Sequence, residues 1–166
     1  MIDILEGKPE DAKAVIEFTK KIGSETDNLT FGAEGLEVTL EQEALFLKEM
    51  SENPRALFLC VWEDNNLIGT GTLIGMSKRM SHRAMLALSV LKSEWDQGVG
   101  SKIMERLIEF AKEIGIDIIN LEVRKDNKRA IHLYEKYGFR HIGTSPAFFK
   151  IEDEYIDFEE MYLDLR

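Results

Sequence analysis

Apolar and polar positions along the chain follow two periods, and the points where one gives way to the other mark out its elements. Ile2 and Ile4, with polar residues between, read as a short strand. Pro9-Glu10-Asp11 then opens a helix, since proline suits the first helical position and acids suit the positive end of the helix dipole. Its apolar stripe is Ala12, Val15, Phe18 and Ile22, and Gly23 is expected to end it. Ser24–Val38 has no period and reads as a loop; loops longer than about 12–15 residues are often functional. Thr39-Leu40-Glu41-Gln42 is a capping box, and its helix carries Leu40, Ala44, Leu47 and Met50 before Pro54 stops it.

Leu57–Glu63 and Leu67–Ile74 are strand-like runs joined by the hairpin signal Asp64-Asn65-Asn66. A third strand of this group, Ala84–Leu91, leads through Trp95–Lys102 into a helix with Ile103, Leu107, Phe110 and Ile114 on one face. Ile116–Val123 is the next strand, and Asn127 caps a helix that ends at Tyr137-Gly138. Strands at about Arg140–Ser145 and Tyr155–Leu165 finish the chain. The order βααβββαβαββ predicts mixed α/β architecture with parallel crossovers near the middle, and no linker divides residues 1–166 into more than one domain.

Composition narrows the class. The chain has 166 residues, about one domain's length, and 44% are apolar, enough for a full core. Twelve glycines and three prolines are too few for a low-complexity or collagen-like chain. The longest apolar run, Ala56–Trp62, is seven residues where a membrane span needs about 20. The first residues lack the basic and apolar regions of a signal peptide, so a cytoplasmic protein is expected. The single cysteine, Cys60, makes no internal disulfide and reads as a small buried hydrophobe. With 31 acidic against 21 basic residues the formal charge is −10. That balance argues against nucleic-acid and membrane partners and fits a basic substrate such as an amine.

Trp95–Lys102 is the most informative segment. A strand, a short glycine-bearing turn and a helix form a phosphate cradle, because the first N–H groups of a helix have no intrahelical partner. Gly98 and Gly100 let the backbone approach an anion with no Cβ in the way. A dinucleotide fingerprint would need a third glycine where Ile103 stands, and a P-loop would need the reverse of Ser101-Lys102. Taken alone, the segment is equally a tight turn without a ligand.

Together with a later stretch it says more. Val90, Gly98 and Gly100, followed by Asn127-Lys128-Arg129-Ala130-Ile131-His132-Leu133-Tyr134-Glu135-Lys136-Tyr137-Gly138-Phe139, resembles the GNAT N-acetyltransferase superfamily. Its second motif, Asn-x-x-Ala-x-x-Leu-Tyr-x-Lys-x-Gly-Phe, is matched at every anchor, Lys136 included. Its first, Gln/Arg-x-x-Gly-x-Gly/Ala, departs at Trp95. The match is sharp over about Ala84–Gly143; the flanks agree only in the order of elements. The resemblance implies the acyl-CoA N-acyltransferase fold: one domain over residues 1–166, a mostly antiparallel sheet splayed between its fourth and fifth strands, and about four flanking helices.

The resemblance also implies acetyl transfer from acetyl-CoA, as co-substrate, to a primary amine attacking directly in a ternary complex. Pantetheine would lie in the splay against the backbone of Leu88 and Val90, whose N–H groups polarise the thioester carbonyl. Pyrophosphate would rest on the amides of Gln97, Gly98, Val99, Gly100 and Ser101, with Lys102 as counter-charge; Asn127 would bond the cofactor chain, and Lys136 belongs to the same binding motif. Tyr134 is the expected acid to the departing thiolate, against the plain alternative of a core tyrosine. Glu122 is the expected base, with His82 a rival and solvent exposure the alternative for both. His132 and His141 read as surface residues, and no His or Cys spacing suggests a metal.

Glu25, Asp27, Glu34 and Glu37 in the 24–38 loop form an anionic rim for a cationic acceptor or a plain solvated loop; Phe31 and Phe148 are expected in the core, with the lining of an acceptor channel as the alternative. The acceptor is a small-molecule or peptide amine, and the resemblance leaves room for a homodimer. A second function class stays open: a catalytically degenerate module of the same fold that binds acyl-CoA as a regulatory ligand. Trp95 and the lack of an acid on Ala84–Leu91 favour it; Tyr134 and Asn127 favour the enzyme.

Overall fold

Ala56–Val61 is apolar at every position, which suits a strand covered on both faces, and all six residues are buried. The computed structural model, which describes residues 1–166, places this strand inside one seven-stranded sheet. In chain order the elements are β1 (Ile2–Glu6), α1 (Ala12–Glu25), α2 (Leu40–Glu52), β2 (Ala56–Glu63), β3 (Asn66–Gly75), β4 (Arg83–Val90), α3 (Val99–Glu113), β5 (Ile118–Arg124), α4 (Lys128–Lys136), β6 (Arg140–Ile151) and β7 (Glu154–Asp164). The order expected from the sequence is the order observed. Across the sheet the strands run β1-β2-β3-β4-β5-β7-β6, antiparallel throughout except for β4 beside β5. No helix is long and apolar enough to cross a membrane.

Helices cover both faces. α2 packs on β2 and α1 on β3, while α3 crosses the opposite face over β2, β3 and β4. The approach of α3 is set by Gly71: a Cβ there would lie 2.3 Å from Ile103 Cγ2. The capping box of α2 forms as expected, with Gln42 N donating to Thr39 Oγ1 at 3.1 Å and Thr39 N to Gln42 Oε1 at 2.9 Å.

Several boundaries differ from expectation: Pro9–Asp11 forms a short 3-10 turn before α1, and β5 starts at Ile118 rather than Ile116. α1 runs through Gly23 to Glu25. Gly23 serves contact instead: a Cβ would fall 2.0 Å from the Gly32 carbonyl oxygen, so its absence lets the following loop close on the helix. β6 continues past Pro146 to Ile151, with register shifts between His141 and Gly143 and between Ser145 and Phe149. The second shift absorbs Pro146 and the positive φ of Ala147. β6 then turns through Glu152 and Asp153, both left-handed, into β7. Phe148, expected in the core, lies exposed on this hairpin with its ring 4.4 Å from that of Phe158, while Phe31 packs partly buried against the core.

Candidate active site

β4 and β5 pair over only three residues each, Arg83–Met85 with Ile118–Asn120. Beyond that point β4 stays paired with β3 as far as Val90, and β5 with β7 as far as Arg124. The two inner strand edges therefore part beyond Met85 and Asn120, which is the splay the resemblance implies. The backbone direction along β4 follows from its two ends. Leu91 N donates to Ile68 O of β3 at 2.9 Å, and His82 O accepts from Asp117 N, on the β5 side, at 2.8 Å. Polar groups alternate sides along a strand, so the N–H and C=O of Leu88 and Val90 point into the gap.

At the open end stands the turn into α3. Gly98 is left-handed, with φ of 82°, and a Cβ there would meet nothing within 4 Å. The first intrahelical bond runs from Lys102 N to Gly98 O at 3.1 Å, so the amides of Val99, Gly100 and Ser101 have no helical acceptor. With no side chain on the cap, they are donors fit for an anion. Gly100 also serves packing, since a Cβ would press 3.1 Å from Leu133 Cδ2 and its absence lets α3 and α4 touch. Gln97 turns its side chain back to Ser93 O at 3.2 Å, and Lys102 is exposed.

Trp95, the departure from the motif, is half-buried and donates Nε1–H to Val90 O at 3.0 Å. It thereby occupies the last main-chain acceptor on the β4 side of the gap. Arg129, in the first turn of α4, lies over the Trp95 ring at 4.8 Å and pairs with Asp96. Neither contact was legible from residue type or spacing.

α4 starts at Asn127, whose side chain accepts from Ala130 N at 3.2 Å. The amide oxygen is used as the helix cap, leaving the NH2 group as the free donor. Tyr134 is 6% exposed and packs on Phe139 with ring centroids 5.8 Å apart. Burial alone pushes its phenol up to about 12. Lys136 lies in the last turn, away from Asn127, with its ammonium 5.6 Å from the Tyr137 ring, so the structure gives it a packing contact.

On β5, Leu121 and Val123 are buried and Glu122 is exposed, as alternation predicts. Its face is identified by its neighbours: Arg83 donates to Asn120 Oδ1 at 2.7 and 3.1 Å, and Arg124 reaches Asp27 O at 3.3 Å. This is the side away from α3 and α4. The cross-strand partner of Glu122 is Glu160. Burial first, and the Glu160 charge second, raise the Glu122 carboxyl above its ordinary value. Glu160 had no signature in the sequence, because only the β5–β7 register brings it there.

His82 lies at the opposite, closed end of β4, where its carbonyl serves the β4–β5 junction; it is not brought to the gap. His141 pairs instead with Glu159, Nδ1 to Oε2 at 3.1 Å, and lines with His132 a separate hollow beside α4. No group of three or more His, Cys, Asp and Glu gathers as metal ligands. In the 24–38 loop, Glu34 folds back to accept from Gly32 N at 2.8 Å, which lowers its pKa. Asp27 shares a polar hollow of about 410 Å³ with Arg124, Asp126, Lys128 and Arg129, so the rim there is of mixed charge.

Residues 25–139 match the Acetyltransferase (GNAT) family. An L-amino acid N-acetyltransferase, AaaT, of Escherichia coli is 30% identical over 125 residues, covering 74% of this chain and 76% of that one. A spermidine N(1)-acetyltransferase of Vibrio cholerae is 29% identical over 125 residues, covering 74% and 71%. Among solved structures, a GNAT-family acetyltransferase from Streptococcus pneumoniae superposes with a TM-score of 0.94 at 27% identity, over 99% of this chain and all of that one. The fold of yncA from Salmonella typhimurium, solved with its cofactor acetyl-CoA, agrees with a TM-score of 0.85 at 17% identity, over 99% and 94% of the two chains. The open β4/β5 gap and the uncapped α3 amides fit such a carrier, and the chain belongs to the GNAT acetyltransferase family, enzymes that draw their acetyl group from acetyl-CoA.

Proposed function

We propose that residues 1–166 form one N-acetyltransferase domain that moves an acetyl group from acetyl-CoA to a primary amine by direct attack, with Tyr134 as general acid and Glu122 as general base. The observation that carries this reading is the two-sided gap. Tyr134 is buried on α4, which touches α3 through Leu133 and Gly100, and Glu122 projects from the face of β5 turned away from those helices. When bound, acetyl-CoA supplies an electrophilic thioester carbonyl. The amides of Gln97 through Ser101 would hold its diphosphate, with Lys102 as counter-charge; Asn127 would donate to the carrier chain, and Lys136 would leave the Tyr137 ring to reach it. The Leu88 and Val90 N–H groups are donors for the acyl oxygen.

An ammonium has no lone pair, so the acceptor must give up a proton before it attacks. Glu122, with its raised pKa, is a stronger base than an ordinary surface carboxylate and can take that proton directly or through water. The Tyr134 phenol, protonated throughout the neutral range, donates its proton toward the leaving sulfur. The acceptor is a small-molecule or peptide amine, consistent with relatives named for L-amino acids, spermidine and a ribosomal-protein alanine. Its approach is over the Glu122 and Glu160 face. The test is thiol release from acetyl-CoA across a panel of amino acids, polyamines and peptide N-termini. Acceptor-dependent release supports the reading. Tight CoA binding with no release for any amine leaves the regulatory-module alternative, which Trp95 at the Gln/Arg position favours.

A further inference from the structure

The gap has a fastening at its open end. The β4–α3 turn stands on one side and the first turn of α4 on the other, because β4 and β5 run parallel and end together. Asp96, held at φ of 63° in that turn, pairs its carboxylate with the Arg129 guanidinium. The same guanidinium lies 4.8 Å from the centroid of the Trp95 ring, and Trp95 is itself anchored through Nε1–H to Val90 O at 3.0 Å. Lys92 approaches the same indole at 5.9 Å. One arginine thus joins the two lips of the gap, held by an aromatic face and a carboxylate.

We propose that Arg129 is an exchangeable phosphate contact: Asp96 and Trp95 hold it in the free protein, and it leaves Asp96 for a phosphate of the carrier. The inference rests on acetyl-CoA occupying the β4/β5 gap. Asp96 acts as a built-in competitor for the same guanidinium. Its side chain is 74% exposed and that of Arg129 48%, so water screens the pair and little is lost when it opens. Carboxylate and phosphate can both take the guanidinium fork in two bonds, but the diphosphate as a whole, or the 3′-phosphate, carries about two negative charges against one on Asp96, and the exchange therefore runs toward the ligand. Trp95 keeps its hold throughout, since stacking leaves the N–H edges of the guanidinium free to change partners. The indole at position 95 thus replaces the polar side chain of the family motif with a platform that positions an arginine from the opposite lip.

A double-mutant cycle read by calorimetry with CoA tests this, using the wild type, Asp96→Asn, Arg129→Ala and the double variant. Asp96→Asn is expected to tighten CoA about two- to fivefold, the range of an exposed ion pair. Arg129→Ala is expected to weaken it by about tenfold or more. In the Arg129→Ala background, Asp96→Asn is expected to gain nothing. An equal gain in both backgrounds would overturn the exchange, leaving only the general field of a negative charge. No gain in the wild-type background would overturn it too. If the wild type itself takes up no CoA, the acetyl-CoA reading fails and the exchange with it; binding without coupling removes the exchange alone. Repeating the cycle with dephospho-CoA identifies the phosphate: coupling retained assigns it to the diphosphate, coupling lost to the 3′-phosphate. Both residues are exposed, and unchanged ligand-free melting of the variants shows that the cycle reads binding rather than folding.

Discussion

Glu122 on β5 and Glu160 on β7 are direct cross-strand partners, two carboxylates side by side on the face of the sheet that α3 and α4 leave uncovered. Like charges placed this way destabilise a ladder, and here burial and the neighbouring charge together raise the Glu122 pKa. The folded protein then holds that proton to higher pH than the unfolded chain does. Glu122 therefore costs stability as pH rises from its ordinary value of about 4.3 through the raised one. Glu122→Gln is expected to melt at the same temperature as wild type or higher at pH 7, while losing amine-dependent turnover. Glu160→Gln should keep turnover and move the acidic limb of kcat/KM to lower pH. An unmoved limb would show that Glu122 is not the group titrating there.

Tyr134 is enclosed by apolar neighbours, and burial is the one cause of its raised pKa. Removing its hydroxyl is therefore expected to leave folding almost intact while removing a proton donor. Tyr134→Phe should lower kcat by about 10²- to 10⁴-fold with CoA affinity within about twofold of wild type. Because the folded phenol titrates near 12 against about 10 when unfolded, it costs stability only above pH 10. The variant should lose that alkaline decline. Unchanged kcat would return Tyr134 to a purely packing role.

The element order was legible because each period is long enough to be unambiguous, from the α3 stripe at Ile103 and Leu107 to the capping box at Thr39. The α3 turn was legible as an anion site because orphan amides follow from helix geometry alone. What escaped needed three dimensions. Glu160 meets Glu122 only through the β5–β7 register. Arg129 meets Asp96 and Trp95 only because parallel strands end at the same place. Gly23 looked like a helix stop, since its close contact with Gly32 is not written in local sequence. His82 looked like a neighbour of the gap, and only the short β4–β5 pairing puts it at the closed end. Phe148 looked like core because hydrophobicity cannot distinguish an inner strand from an exposed hairpin.

Gly71 and Gly98 support the same helix in different ways, and alanine should separate them. At Gly98 a Cβ meets nothing, so the cost is that of the left-handed backbone, about 1–2 kcal/mol. At Gly71 a Cβ would lie 2.3 Å from Ile103 and 3.2 Å from Leu107, which pushes α3 off β3. Overpacking of this kind costs about 1–3 kcal/mol. Both variants should melt earlier. Gly71→Ala should also weaken CoA by more than its Tm loss suggests, because the whole α3 N-terminus shifts. Equal CoA affinities for wild type and Gly71→Ala would show that the amide cradle does not depend on this contact.

Cys60 decides how turnover can be measured. It is fully buried on β2, and burial first, with Asp11 and Glu43 adding, pushes its thiol up to about 12. The thiolate is the reactive form, so at pH 8 almost none exists in the folded chain. Unfolding exposes a thiol of ordinary pKa near 8.5, which reacts readily. A disulfide reagent added to folded protein at pH 8 is therefore expected to report released CoA with negligible protein background. Full labelling should appear only in denaturant, with a midpoint equal to that of the circular-dichroism transition. Rapid labelling of the folded protein would mean that α2 opens from β2 far more often than its packing implies, and would require Cys60→Ser before any thiol-release assay is read.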